Sequence, residues 1–191
     1  MKRANAEDKH LIIDLLTKSF DSNLSVNYIV KQDNSRIKRI RALMEYSIDV
    51  CWMFGDVFLS DDNKSCALIL YPQLKKTTWK SIWLDVKLIA SAIGVGGITK
   101  IMQRESLIKN LQPKQPMAYL WFIGVDTLYQ HQGIGSSLLQ EIVLKAIDQN
   151  LPVYLETSTL KNLPWYQRFG FEIYNELNLD YTLFFLRNII V

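Results

Sequence analysis

Apolar residues recur along this chain with two different periods, and the places where the period changes divide it into elements. Leu11, Ile12, Leu15, Leu16 and Phe20 fall at helical spacing, and so do Ile37, Ile40, Leu43, Met44 and Ile48; each set predicts an amphipathic helix with one face on a core. Two short β-rich runs follow, 56–60 and 66–72, joined by the polar Asp61, Asp62, Asn63 and Lys64, and this pattern reads as a hairpin. Residues 78–110 return to helical composition, but Gly94, Gly96 and Gly97 interrupt them, and a glycine inside a helix costs about 1 kcal/mol against alanine. Two helices with a flexible joint are expected there, closed by Pro113 and Pro116.

The rest of the chain alternates more cleanly: a strand at about 118–125, a glycine turn, a helix at about 135–149, a strand at 153–157, a short helix near 162–169 and two final strands. Leu138, Leu139, Ile142, Val143, Ala146 and Ile147 share one face of the longer helix while Gln140, Glu141, Lys145 and Asp148 fall elsewhere, so that helix is expected to pack on a sheet. A βαβ unit followed by αββ makes the fold class α/β. At 191 residues, without a repeat, low-complexity tract or linker, the chain is expected to form a single domain over 1–191.

Composition narrows the chemistry. A net charge of +3, from 22 Lys and Arg against 19 Asp and Glu, is too small and dispersed to point to nucleic acid. With only His10 and His131, no histidine-rich metal site can be built, and no metal is expected. Cys51 and Cys66 sit in apolar surroundings without C-x-x-C spacing, which favours buried free thiols over a disulfide. The opening MKRANAEDKHLIIDLL turns polar and acidic before any apolar run, unlike a signal peptide. The apolar run 88–98 falls short of the roughly 20 residues needed to cross a bilayer. A cytoplasmic protein without a membrane partner is expected.

Chemistry concentrates at the turn between the 118–125 strand and the next helix, where Gln130, Gly133 and Gly135 stand in the spacing Q-x-x-G-x-G. The first N–H groups of a helix are unpaired and carry about half a positive charge, so they bind a phosphate or pyrophosphate without a lysine. Gln130 can add an amide donor and Ser136 a hydroxyl on the same rim. A glycine pair also fits a plain tight turn. A dinucleotide-binding G-x-G-x-x-G is disfavoured, because Leu138 occupies the place of its third glycine.

The strings GVDTLYQHQGIGSSLL and PVYLETSTLKNLPWYQRFGF shift the balance by resemblance. They look like motifs A and B of the GNAT acyltransferases that use acetyl-CoA, and the second is particularly similar to the branch containing puromycin N-acetyltransferase. The likeness is strong over 119–176 and elsewhere rests on the order of elements. It implies a mixed, mostly antiparallel sheet whose parallel strand pair splays apart, helices on both faces, a CoA-binding core at about 117–176 and acceptor-side helices at about 78–110. By this resemblance the pyrophosphate lies on the loop of Gln130, His131, Gln132, Gly133, Ile134, Gly135 and Ser136. Gly124 can accommodate a bulge or a close backbone approach, leaving main-chain groups of Ile123 and Val125 free for pantetheine and the thioester. Asn162 resembles a position that contacts the CoA arm; it also suits an N-cap. Three departures stand out: Asp126-Thr127 lacks a common proline, His131 replaces a frequent glycine, and Trp165 replaces a frequent phenylalanine.

Attack of an amine on a thioester needs a neutral nucleophile, donors to the developing oxyanion and a proton for the departing thiolate. The resemblance puts Tyr166 beside the CoA sulfur as the general acid; an aromatic anchor packed beside Trp165 and Phe169 is the other reading. Strand alternation puts Tyr154 and Glu156 on one face, so Glu156 is expected to point into the cleft, either relaying the amine proton or accepting structural hydrogen bonds. Trp79, Trp83 and the segment 93–98 are expected to wall the acceptor side, with core plugging or a dimer contact as alternatives for the tryptophans. The expected function is an acetyl-CoA-dependent N-acetyltransferase acting on a primary amine of a small molecule by direct attack in a ternary complex. A noncatalytic acyl-CoA sensor and a protein or peptide amine acetyltransferase are the alternatives, and a homodimer is left open.

Overall fold

The computed structural model describes residues 1–188; residues 189–191, the end of the expected single domain, lie outside them. The chain runs β1 Lys2–Arg3, α1 Lys9–Ser19, α2 Leu24–Ile29, α3 Arg36–Phe54, β2 Gly55–Leu59, β3 Ser65–Leu70, α4 Trp79–Leu88, α5 Ile98–Leu111, β4 Ala118–Val125, α6 Ile134–Asp148, β5 Val153–Thr157, α7 Leu163–Gln167, β6 Glu172–Asn178 and β7 Thr182–Asn188. The strands form one seven-stranded sheet in the order β1-β2-β3-β4-β5-β7-β6. Neighbours are antiparallel except β4 and β5. Helices cover both faces, as expected.

Local chemistry explains several boundaries. Asn23 caps α2 through its side chain, and Thr78 and Ser81 form a reciprocal capping box at the start of α4. A side chain at Gly55 would bring its Cβ within 2.0 Å of the Ile69 carbonyl oxygen, so only glycine lets α3 pass directly into β2. The interruption at the glycine cluster is a sharp one: α4 runs on through a wide π-type turn, Ile89–Ile93, and ends at Gly94 with φ 76°. The two helical stretches meet there at 101°. Leu11, Ile37 and Ile147 are exposed, against the core positions their spacing predicts. Each falls in the terminal turn of its helix, where the core no longer covers the apolar stripe.

Alternation along the strands sorts the core into two layers. Val57, Leu59, Cys66, Leu68 and Leu70 face α1 and α3, whereas Phe58, Ala67 and Ile69 face α6. On β4, Ala118 and Leu120 share the α6 layer, but Trp121 and Phe122 both pack on the other. The β3/β4 register explains this, because Leu68 opposes Phe122 while Ile69 opposes Leu120. Trp121 is therefore the extra residue of a bulge. The bulge does not lie at Gly124, whose role is the close approach: a Cβ there would stand 3.0 Å from Leu16 Cδ2 and 3.1 Å from Leu15 Cδ2 of α1.

Candidate functional site

β4 and β5 pair over only two positions, Ala118 with Val153 and Tyr119 with Tyr154. Beyond Tyr119 the parallel strands part and leave the edge of β4 open toward β5. The Asp126 N–H donates to Lys64 O across the β3 side at 2.8 Å, which fixes the ladder's phase. Gly124 and Phe122 turn their main-chain groups toward β3, and Ile123 and Val125 turn theirs into the gap. The Val125 carbonyl is already occupied there. It accepts the Ser19 hydroxyl at 2.7 Å and the Gln130 side-chain amide at 3.3 Å, so this oxygen is engaged and one of the two Gln130 amide N–H groups is spent on it.

The loop that follows is shaped by backbone angles. Asp126 Oδ1 accepts the Leu128 N–H at 2.9 Å. His131 and Gly133 then both take left-handed conformations, with φ 62° and 84°. α6 opens at Ile134 with Gly133 as its N-cap and no side-chain cap, so its first amides stay available to an anion. The two glycines serve different ends. Gly133 supplies the left-handed angle in open space, while a Cβ at Gly135 would meet Val125 Cγ2 at 3.1 Å and Trp165 Cζ2 at 3.7 Å. Ser136 Oγ accepts the Trp165 indole N–H at 2.9 Å, which leaves the hydroxyl proton to be donated elsewhere. His131 and Gln132 are exposed on the rim.

Tyr166 is buried on α7, its ring 4.7 Å from Trp165 and 5.6 Å from Phe171. Both the anchoring and the acid readings of this residue thus share one geometry. Among the described residues no protein group hydrogen-bonds its hydroxyl, and burial pushes the phenol pKa up, keeping it protonated. Asn162 precedes α7 but makes no side-chain cap bond, so its N-cap reading fails in this conformation.

Glu156 is held by two residues that no motif in the sequence singles out. It accepts the Tyr119 hydroxyl and, at 2.8 Å, the Gln112 side-chain amide. Burial raises its pKa, opposed by these two donors and by the positive charge of Arg104. Arg104 is buried; it donates to Tyr181 Oη at 3.1 Å and Ser25 Oγ at 2.6 Å and pairs with Glu105. Beyond Tyr181 opens a cleft of about 590 Å³, lined among others by Tyr28, Lys31, Ile93, Val95, Lys100 and Tyr181. The glycine segment thus reaches the cleft through residues 93–97, whereas Trp79 and Trp83 do not line it, nor do they plug the core. Only the hydrogen-bonding capacity of Tyr119, Gln112 and Arg104 hints at this network in the sequence, and nothing in their spacing ties them to Glu156.

Cys51 and Cys66 are free and buried, and burial raises both thiol pKa values. Neither is poised as a nucleophile. Among the described residues no three His, Cys, Asp or Glu side chains converge on a metal position.

The fold has close counterparts. It superposes on the histone acetyltransferase HPA2 and related acetyltransferase of Corynebacterium glutamicum with a TM-score of 0.76 at 19% identity, covering 100% of this chain and 95% of the other. It superposes on the C-terminal condensation domain of Ebony, in complex with β-alanyl-dopamine, with a TM-score of 0.70 at 10% identity, covering 99% and 97%. In sequence it is 40% identical over 53 residues to an uncharacterized N-acetyltransferase of Schizosaccharomyces pombe, a match that spans 28% of this chain and only 22% of that relative. Residues 41–171 match the model of the Acetyltransferase (GNAT) family. That match takes in the open β4 edge, the uncapped start of α6, Glu156 and Tyr166, and on it the chain belongs to the GNAT family of acetyltransferases.

Proposed function

We propose that this acetyltransferase moves an acetyl group from acetyl-CoA to the primary amine of a small molecule by direct attack in a ternary complex. One conjunction carries the reading: the unpaired edge of β4 leads into the uncapped amides of α6, and Trp165, which hydrogen-bonds Ser136 of α6, packs 4.7 Å from the ring of the unpartnered Tyr166 phenol. The diphosphate would rest on the 130–136 loop, held by main-chain N–H groups around Gly133 and Gly135 and by the Ser136 hydroxyl. Pantetheine would follow Ile123 and Val125 as an added strand, with an edge N–H polarising the thioester carbonyl. The amine nitrogen attacks the carbonyl carbon, the C–N bond forms and the C–S bond breaks. Glu156, directly or through water, takes the amine proton, and Tyr166 gives its proton to the thiolate.

The raised pKa of Glu156 makes it a stronger proton acceptor than an ordinary glutamate. The inert buried cysteines favour direct transfer over an acyl-enzyme. A cleft of about 590 Å³ walled by Tyr28, Tyr181, Ile93 and Val95 has small-molecule dimensions. It suits an amine on an apolar or aromatic body, and a neighbour of the same fold is described with β-alanyl-dopamine. The PVYLETSTLKNLPWYQRFGF string supports the puromycin-acetyltransferase-like branch, and the composition supports a cytoplasmic setting.

The test is release of CoA thiol from acetyl-CoA by the purified chain with aromatic amines, polyamines, aminonucleosides and peptides, the product identified by mass. Turnover with a small amine is expected. Turnover confined to peptides would overturn the acceptor class, and failure to bind CoA would overturn the cofactor assignment.

A further inference from the structure

α4 carries two apolar faces. The inner one packs through Leu84 and Leu88 on the layer of α1 and α3. The outer one presents Trp79, Ile82, Trp83 and Val86 at i, i+3, i+4 and i+7, with Trp79 89% and Trp83 65% exposed. Neither indole stacks on another ring or meets a cation among the described residues. Such a stripe is too large and too continuous to be incidental exposure.

Charge around the stripe is mostly basic. Lys75, Lys76 and Lys80 are exposed beside it and enter no ion pair among the described residues. The acid on the helix, Asp85, accepts the Tyr46 hydroxyl at 2.7 Å, and Lys87 is engaged by Glu45 at 3.0 Å. A second copy of this chain laid on the same face would bring the three lysines against their counterparts, with Asp85 as the single acid of the helix to offset them. An anionic surface that accepts indole rings answers both features: tryptophan seats at the headgroup level of a bilayer, and lysines beside it are drawn to acidic lipid.

We propose that the outer face of α4, with the Lys75, Lys76 and Lys80 rim, docks on the surface of an anionic lipid bilayer with the helix lying in the interface. The mode is peripheral, since no single helix among the described residues is long and apolar enough to cross a membrane. It is distinct from the apolar run 88–98, whose shortness underlies the expectation of no membrane partner. α4 leads directly through its π-type turn into residues 93–97 of the acceptor-side cleft, so docking brings that cleft near the headgroups. The docking itself does not depend on the acetyl-transfer reading.

Co-sedimentation of the full chain with vesicles of phosphatidylcholine, and of phosphatidylcholine mixed with phosphatidylserine, tests it. The chain is expected to pellet with the phosphatidylserine vesicles, to release as salt rises, and to shift its tryptophan emission to the blue. Trp79→Ser with Trp83→Ser, and separately Lys75→Glu, Lys76→Glu and Lys80→Glu together, should each lower partitioning at least about tenfold. Both variants should keep the wild-type circular dichroism, because these side chains support no core. Absence of pelleting with either vesicle, or pelleting unchanged in the tryptophan variant, overturns the proposal. So does a concentration-dependent dimer that the tryptophan variant abolishes, which would make a second copy the occupant.

Discussion

The two walls of the strand gap are made of different material. On the side of the 130–136 loop the groups on offer are main-chain amides, exposed by two left-handed residues and an uncapped helix. On the Glu156 side they are side chains drawn from α2, α5, β4, β5 and the β6–β7 turn, converging as Ser25, Arg104, Tyr119, Glu156 and Tyr181. A main-chain site depends on where the backbone can go, so it tolerates substitution except where a Cβ cannot fit. A side-chain site depends on each functional group, and its parts can be exchanged without disturbing the first wall.

The strongest blow to the first wall is Gly135→Glu. Its Cβ would press on Val125 and Trp165, and its carboxylate would occupy the mouth of the α6 amides. CoA affinity by calorimetry is expected to fall at least about a hundredfold, each 1.4 kcal/mol being tenfold, with secondary structure retained. Tyr166→Phe addresses the junction of the walls: kcat should drop about a hundredfold while CoA affinity stays near wild type, and an unchanged kcat would leave Tyr166 as an anchor only.

The second wall is probed by pH. Because burial raises the Glu156 pKa, kcat/KM should fall as pH drops through a value above the ordinary glutamate range, and Glu156→Gln should remove that limb. Tyr119→Phe deletes a donor that favours the carboxylate, so the limb should move to higher pH. Stability runs the opposite way with pH. A carboxyl group with a raised folded-state pKa contributes stability below its unfolded pKa and loses it as pH rises through the folded one, so melting temperature in Glu156→Gln should decline less on that rise. The smallest effect belongs to Trp165→Phe. Losing the indole bond to Ser136, worth about 1 kcal/mol, should weaken CoA binding only a few fold.

The same division explains what the chain discloses before it is folded. The loop is legible because its requirements are local: a strand, a left-handed glycine at 133, a second glycine at 135 and a helix follow one another in the chain. The register at Val125 also makes the β4 edge legible, though not that Ser19 reaches its carbonyl from α1. The Glu156 network is not legible, since Tyr119 and Gln112 are ordinary residues until the fold sets them on either side of one carboxylate. α2 leaves no clear periodic signal because six residues barely complete a helical turn and a half. The tryptophans of α4 mislead, because apolar composition does not say which of two helix faces turns inward.

Trp121 gives β4 one residue to spare. The strand reads in one phase up to Leu120 and in the opposite phase from Phe122 onward. Deleting Trp121 would let Phe122 follow Leu120 in regular alternation, with Ile123, Gly124 and Val125 keeping their present faces; a second deletion would exchange those faces, driving Ile123 against Leu15 and Leu16 of α1, where Gly124 now gives clearance, and taking Val125 away from Gly135. Homologous or engineered versions of this chain can thus shed this one residue and keep every later face, but a second loss finds no bulge to absorb it.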